Sequence, residues 1–142
     1  MPKNFLYATL LIISGLLLYL PGLNAEFTID ANYVVAQNPA IKQPAAIQQI
    51  FQSGFFEAFD SSHDAPLNYY RPIVTLSYVL NYSLFGLAPW SYRLINIIFH
   101  LFNAGLVFIL VSRLFSDKRL SILSAVFFAI FPTNEWCVNY IV

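Results

Sequence analysis

Apolar residues fall into three long runs, joined by one long mixed connection and one short basic one. The first run is Phe5 to Leu20, interrupted only by Thr9 and Ser14 and then punctuated by Pro21 and Gly22. With Leu23 it approaches the ~20 residues that cross a ~30 Å hydrocarbon layer. The second run, Tyr92 to Phe115, has twenty-four residues. At ~1.5 Å rise per residue it is long enough to cross with some tilt. The third runs from Leu120 to Phe131, where Pro132 breaks it, and apolar character resumes to Val142. The pattern predicts spans at about 5–23, 92–115 and 119–139, with a large first outer loop over 24–91. The fold class expected is an all-α membrane protein, with about three transmembrane helices plus interfacial helices in that loop.

Within the loop, Ile47, Ile50, Phe51, Gly54, Phe55 and Ala58 recur at helical spacing, while Gln48, Gln49, Gln52 and Glu57 face away. An amphipathic helix over 43–59, lying on a membrane surface, is the expected form. Asp60 to Asn68 is a polar turn region. Pro72 suits the first position of another helix, reaching about Gly86. That stretch is apolar but short and carries Thr75, Ser77, Asn81 and Ser83, so it is expected to be interfacial or re-entrant.

Composition supports lipid as part of the solvent. Hydrophobic residues make up 58% of the 142 residues and charged residues only 10%, against about 25% charged in soluble domains. The formal net charge is zero, which gives nucleic acid no electrostatic footprint. Cys137 is the single cysteine, so an internal disulfide is excluded. The first run also admits a second reading, a cleaved signal peptide with Lys3 as its charged start and cleavage after Ala25. Its apolar core exceeds the usual ~7–15 residues, and Leu23 stands where a small residue is wanted. A retained anchor is the expected form.

Charge placement orients the chain. With a cytoplasmic amino terminus, Lys3, Arg113, Lys118 and Arg119 lie inside, opposed only by Asp117. Glu26, Asp30, Glu57, Asp60, Asp64 and Glu135 lie outside with Lys42, Arg71 and Arg93. This obeys the positive-inside rule. A further span over 72–86 would put the basic Asp117–Arg119 turn outside and break it. The expected location is therefore an integral, multi-pass membrane protein, in the plasma membrane if bacterial. The chain stops in apolar sequence without a polar tail, and we expect it to be the amino-terminal part of a longer protein whose remaining spans are its partners.

Several polar residues interrupt these apolar segments. Asp30, a few residues past the first run, sits at the expected outer boundary. There a carboxylate serves either as a general base or as an ordinary loop aspartate. Arg93, Asn96, His100 and Asn103 follow spacings of three, four and three, which puts them on one face of a helix. Polar groups are costly against lipid, so this face looks into protein or a wet cavity. It is either a pocket wall for an anionic group or interhelical hydrogen bonding that holds a bundle. Arg71 beside Pro72 suits phosphate at a helix start, or an ion pair with Asp60 or Asp64. Glu135 follows the third run as a cap or a site carboxylate. Asn81-Tyr-Ser83 matches a glycosylation sequon inside an apolar helix, a chance match there. His63 is a lone loop histidine, and no metal or other cofactor is expected.

A familiar order emerges from Phe27-Thr-Ile-Asp30, Asn38-Pro-Ala-Ile41, Ile50-Phe51, Tyr70-Arg-Pro72, Leu76-Ser-Tyr78 and Asn81-Tyr82. It continues through Gly86-Leu-Ala-Pro89, Leu94-Ile-Asn96, His100-Leu-Phe-Asn103 and Pro132-Thr-Asn-Glu135. The series resembles the amino-terminal region of multispanning GT-C class glycosyltransferases, the tetratricopeptide-repeat O-mannosyltransferase-like proteins and their bacterial relatives above all. The resemblance implies a polyprenyl-phosphate sugar donor and an acceptor hydroxyl on the outer or luminal side. It marks Asp30 as the catalytic carboxylate of an inverting transfer. Arg71, Arg93, Asn96, His100 and Glu135 become substrate-binding candidates, with Arg71, Arg93 or His100 neutralising the phosphate. Ala31 stands where family members often carry a second aspartate. Phe131 and Asn134 stand where the histidines of a His-Pro-x-His-x-Glu motif would. As a piece of such an enzyme, the chain is expected to be inactive alone. The rival reading is a small non-catalytic membrane protein, an assembly or transporter subunit.

Overall fold

The computed structural model describes residues 3–42, 50–51 and 70–141, and every regular element among them is helical. The amphipathic stretch expected over 43–59 lies largely outside the described residues, and the polar turn with His63 and Asp64 lies wholly outside them. Helix α1 is Lys3–Tyr19, followed by a 3-10 turn at Leu20–Asn24. Pro21 explains that change, because its ring removes one amide hydrogen and crowds the preceding turn. Helices α2 (Ile29–Ala31) and α3 (Pro39–Lys42) flank a π-helical turn at Asn32–Ala36. The helix expected to start at Pro72 is α4, Pro72–Phe85. It stops at Gly86, whose φ of +65° an L side chain rarely adopts and whose amide bonds the Tyr82 carbonyl at 2.8 Å.

Helix α5 is Pro89–Phe115 and α6 is Lys118–Ile130. Between them Ser116 takes a φ of +55°. Asp117 then caps α6, its Oδ1 accepting from the amides of Arg119 at 2.8 Å and Leu120 at 3.3 Å. Pro132 ends the helix, a 3-10 turn covers Pro132–Asn134, and α7 is Glu135–Asn139. Among the described residues, α5 alone is long and apolar enough by itself to cross a membrane. Two broken pairs pass the same test when each is taken as one span. They are Thr9–Asn24 with Ile29–Ala36 and Lys118–Ile130 with Pro132–Asn139, the latter bent by 49°.

The chain divides into two compact units, residues 1–25 with 93–140 and residues 26–92 with 141–142. In the first, α1 and α6 pack together. Ser121, Ala125 and Ala129 are fully buried along one face of α6, and small residues of this kind let helix backbones approach closely. Gly15 of α1 lies against Leu101, so that a Cβ there would run into the leucine methyl. Tyr19, Ile97 and Val138 form a further buried cluster.

The second unit is built around Ala31, Val34, Val35, Ile41, Tyr78, Val79 and Tyr92. Tyr92 meets Phe27 and Tyr78 edge-on, with ring centroids 5.7 and 5.8 Å apart. Its hydroxyl donates to the Gly86 carbonyl at 3.1 Å. Asn81 is only 1% exposed, which closes the sequon to any glycosylating enzyme in the folded state.

Candidate functional site

The spacing of Arg93, Asn96 and His100 puts them on one face of α5, and in the first unit that face is turned inward. Arg93 and His100 are 2% and 7% exposed, and Asn96 is half-buried. Each meets a backbone carbonyl at the end of a helical segment. Arg93 donates through Nε to the Asn139 carbonyl at 3.3 Å, and through Nη1 to the carbonyl of Ala25, just past the first 3-10 turn. Asn96 Nδ2 donates to the Val138 carbonyl at 3.2 Å. His100 Nε2 meets the Ala129 carbonyl at 3.0 Å. Such carbonyls lack intrahelical partners because the chain stops or turns there. An orphaned acceptor in apolar surroundings costs about 1–3 kcal/mol, so the stripe satisfies four of them from one helix.

A side chain that the sequence did not single out completes this set. The Tyr19 hydroxyl, at the end of α1, donates to the same Ala129 carbonyl at 3.0 Å and lies 3.5 Å from His100 Nε2. A carbonyl oxygen has two lone pairs, so it accepts from both if His100 carries its hydrogen on Nε2. The imidazole is held between Tyr19, edge-on at 5.4 Å, and Phe128, stacked at 5.2 Å. The signal in the sequence is slight: a tyrosine two residues before Pro21, after the aliphatic stretch Leu16-Leu-Leu18. Asn103, the fourth residue of the predicted stripe, is exposed instead. Glu135 is exposed in the first turn of α7, where a carboxylate faces the positive end of the helix.

Asp30 and Arg71 belong to the second unit. Asp30 is exposed on α2, next to Ile29, which is 77% exposed. Thr28 fixes the start of that short helix, its hydroxyl accepting from the Ala31 amide at 3.3 Å. Buried Ala31, Val34 and Val35 anchor the segment beneath, so Asp30 is presented on a held backbone. The π-helical turn that follows is a form often found near functional sites. Arg71 is half-buried at the start of α4, where its carbonyl accepts from the Thr75 amide at 3.1 Å and hydroxyl at 3.2 Å. Burial pushes the Tyr78 phenol well above its ordinary value, against an opposing pull from the Arg71 charge. That phenol stays neutral and cannot serve as a base. Among the described residues no three histidine, cysteine, aspartate or glutamate side chains gather in a way that could hold a metal ion.

The chain is 34% identical over 128 residues to the Protein O-mannosyl-transferase tmtc2 of Xenopus laevis, covering 90% of this chain. It is 32% identical over 139 residues to the Protein O-mannosyl-transferase TMTC3 of Mus musculus, covering 98%. The chain is homologous to the protein O-mannosyl-transferases. The Protein O-mannosyl-transferase Tmtc1 of Drosophila melanogaster matches at 32% over 125 residues, covering 85% of the chain and 14% of that relative. The chain spans about 15% of the length of the first two transferases. No family model matches it. No solved structure matches it.

Proposed function

We propose that this chain is part of a GT-C class membrane glycosyltransferase. The enzyme would move a sugar from a polyprenyl-phosphate donor to an acceptor hydroxyl on the outer or luminal side. The observation that carries this reading is the identity of 32–34% to protein O-mannosyl-transferases over at least nine-tenths of the chain. In this reading α5 and the two broken helical pairs cross the membrane with the amino terminus inside. The basic bias of Lys3, Arg113, Lys118 and Arg119 supports that orientation. Single cysteines introduced in a Cys137→Ser background test it. Ser61→Cys is expected to react with a membrane-impermeant thiol reagent in intact cells, and Ser116→Cys is expected not to. The opposite pattern would overturn the topology.

Asp30 is the base in this proposal. Its carboxylate takes the proton of the acceptor hydroxyl, the hydroxyl oxygen bonds to the sugar carbon, and the bond from that carbon to the lipid phosphate oxygen breaks. The exposed position of Asp30 on a capped, anchored segment supports the role. Arg71, Arg93, Asn96, His100 and Glu135 are the proposed substrate-binding groups, with the cations answering the departing phosphate.

The test is transfer of labelled sugar in membranes by the protein expressed from its complete coding sequence. Asp30→Asn keeps the size of the side chain and removes the base. It is expected to lower turnover roughly 10²–10⁴-fold with expression and donor binding preserved. Near-normal turnover would remove Asp30 from the mechanism.

A further inference from the structure

A groove of about 310 Å³ runs among α1, α5 and α6 of the first unit. It is lined by Tyr7 and Leu11 of α1, Phe102, Gly105 and Ile109 of α5, and Ile122 of α6, among others, and no lining residue is charged. Phe102 and Ile109 are 63% and 52% exposed, so the groove is open along its side. The rings of Tyr7 and Phe108 lie 6.0 Å apart, which brings the start of α1 to the far end of α5 and sets the groove near that end. One turn of an α-helix, ~10–12 Å across and ~5.4 Å in pitch, needs more room than this. A further helix can lie over the groove but cannot enter it. A single hydrocarbon chain can.

Charge at the end of the groove says more about its occupant. Arg113 follows Ile109 by four residues on α5, and Arg119 precedes Ile122 by three on α6. Those spacings stack each arginine one turn beyond a groove wall. Both arginines are exposed. With Lys118 they set three cations against one carboxylate, and that carboxylate, Asp117, is turned onto the amides of Arg119 and Leu120. An apolar helix lying across the groove would answer the wall and leave the arginines unanswered. A lipid with a negatively charged head answers both, its acyl chain against the wall and its phosphate against the guanidinium groups. This end of α5 is twenty residues, or ~30 Å of helix, from Arg93. In the orientation proposed above it faces inside, so this lipid is not the sugar donor.

We infer that the groove among α1, α5 and α6 binds an anionic phospholipid, with an acyl chain in the groove and the phosphate held by Arg113 and Arg119. This rests on the membrane reading above, and the experiment separates the two. The protein is expressed from its complete coding sequence. Its membranes are supplied with phosphatidylglycerol carrying a diazirine on an acyl chain, or with the phosphatidylcholine counterpart. After photolysis, adducts are located by peptide mass spectrometry. Phosphatidylglycerol is expected to label Tyr7, Leu11, Phe102 or Ile109 in excess over phosphatidylcholine. Arg113→Gln combined with Arg119→Gln is expected to lower that labelling roughly 10-fold or more. A Cβ placed on Gly105 would meet nothing within 4 Å, so Gly105→Leu fills the groove and is expected to lower labelling by both lipids. Labelling of Phe127, exposed on α6 outside the groove, is expected to persist in every variant and reports that each is inserted. No adduct on any of residues 3–139 would overturn the membrane reading and the inference with it. Adducts at Phe127 but none in the groove would overturn the inference alone, because another part of the protein then fills it. Equal labelling of the groove by the two lipids, or a doubly substituted arginine variant that labels as well as the original, would overturn it too.

Discussion

In the first unit Tyr19, Arg93, Asn96 and His100 are turned onto four backbone carbonyls, whereas in the second Asp30 stands exposed on a three-residue helix over an aliphatic and aromatic core. Inward polar groups of the second unit serve it locally: the Asn38 side chain accepts from the Ala40 amide, and Thr75 bonds back to Arg71. The contrast separates two tasks that look alike in a sequence. A polar residue within an apolar stretch can supply hydrogen bonds that the backbone has lost, or it can stand at the surface of its unit. Substitutions in the first unit are therefore expected to act on stability. The Asp30→Asn change is expected, in the role proposed above, to act chiefly on turnover.

The largest stability effect is expected from Arg93→Met, which keeps the aliphatic stem and strips the donors from the Asn139 and Ala25 carbonyls. The loss is about 2 kcal/mol or more, read as a lowered thermal unfolding midpoint in detergent. An unchanged midpoint would erase the distinction between the units. Next come Tyr19→Phe and His100→Phe. Because both side chains reach the Ala129 carbonyl, either alone leaves that carbonyl one donor, and each is expected to cost roughly 0.5–1 kcal/mol. Together they orphan it, so the double variant is expected to lose more than the sum. Simple additivity would mean that the two do not share an acceptor.

The smallest effect sharpens the comparison from the other unit. The buried Tyr78 phenol has its ionisation raised above the ordinary value near 10. An unfolded chain ionises first, so the stabilisation is complete below about pH 10 and is lost as pH rises through the folded-state value. Tyr78→Phe is expected to flatten the fall of the unfolding midpoint between about pH 10 and 12. An unaltered slope would show that this phenol contributes nothing to it.

Much of the local architecture was legible before the fold was known. Pro72 and Gly86 bracket α4 because one pre-sets a helical φ and the other accepts a positive one. Pro132 marks the break after α6 for a similar reason. The periodicity of Arg93, Asn96 and His100 placed them on one face correctly, since helix geometry alone decides that. Two things were beyond it. The partners of that face are backbone carbonyls at Ala25, Ala129, Val138 and Asn139, and acceptors present in every residue leave no mark in a sequence. Whether a stripe stays inward along its whole length depends on where neighbouring helices end, which is why Asn103 follows the spacing and still faces out. The role proposed for Asp30 rests on an ordered family resemblance, and its exposure on a capped turn became visible only with the fold.

The broken helix at Pro132 also bears on how the chain is made. Arg93, Asn96 and His100 precede Ala129, Val138 and Asn139 in the polypeptide. A ribosome therefore finishes these donors before the carbonyls that need them exist. In the membrane reading proposed above, α6 and α7 would enter the bilayer with the hydrogen-bonding groups for their ends already present on α5. The kinked segment would then not have to cross as an unassisted helix with bare carbonyls in hydrocarbon. A permuted gene that places residues 118–139 ahead of α5 would reverse that timing. Its product would ask the translocation machinery to accept the break before its partners had been synthesised.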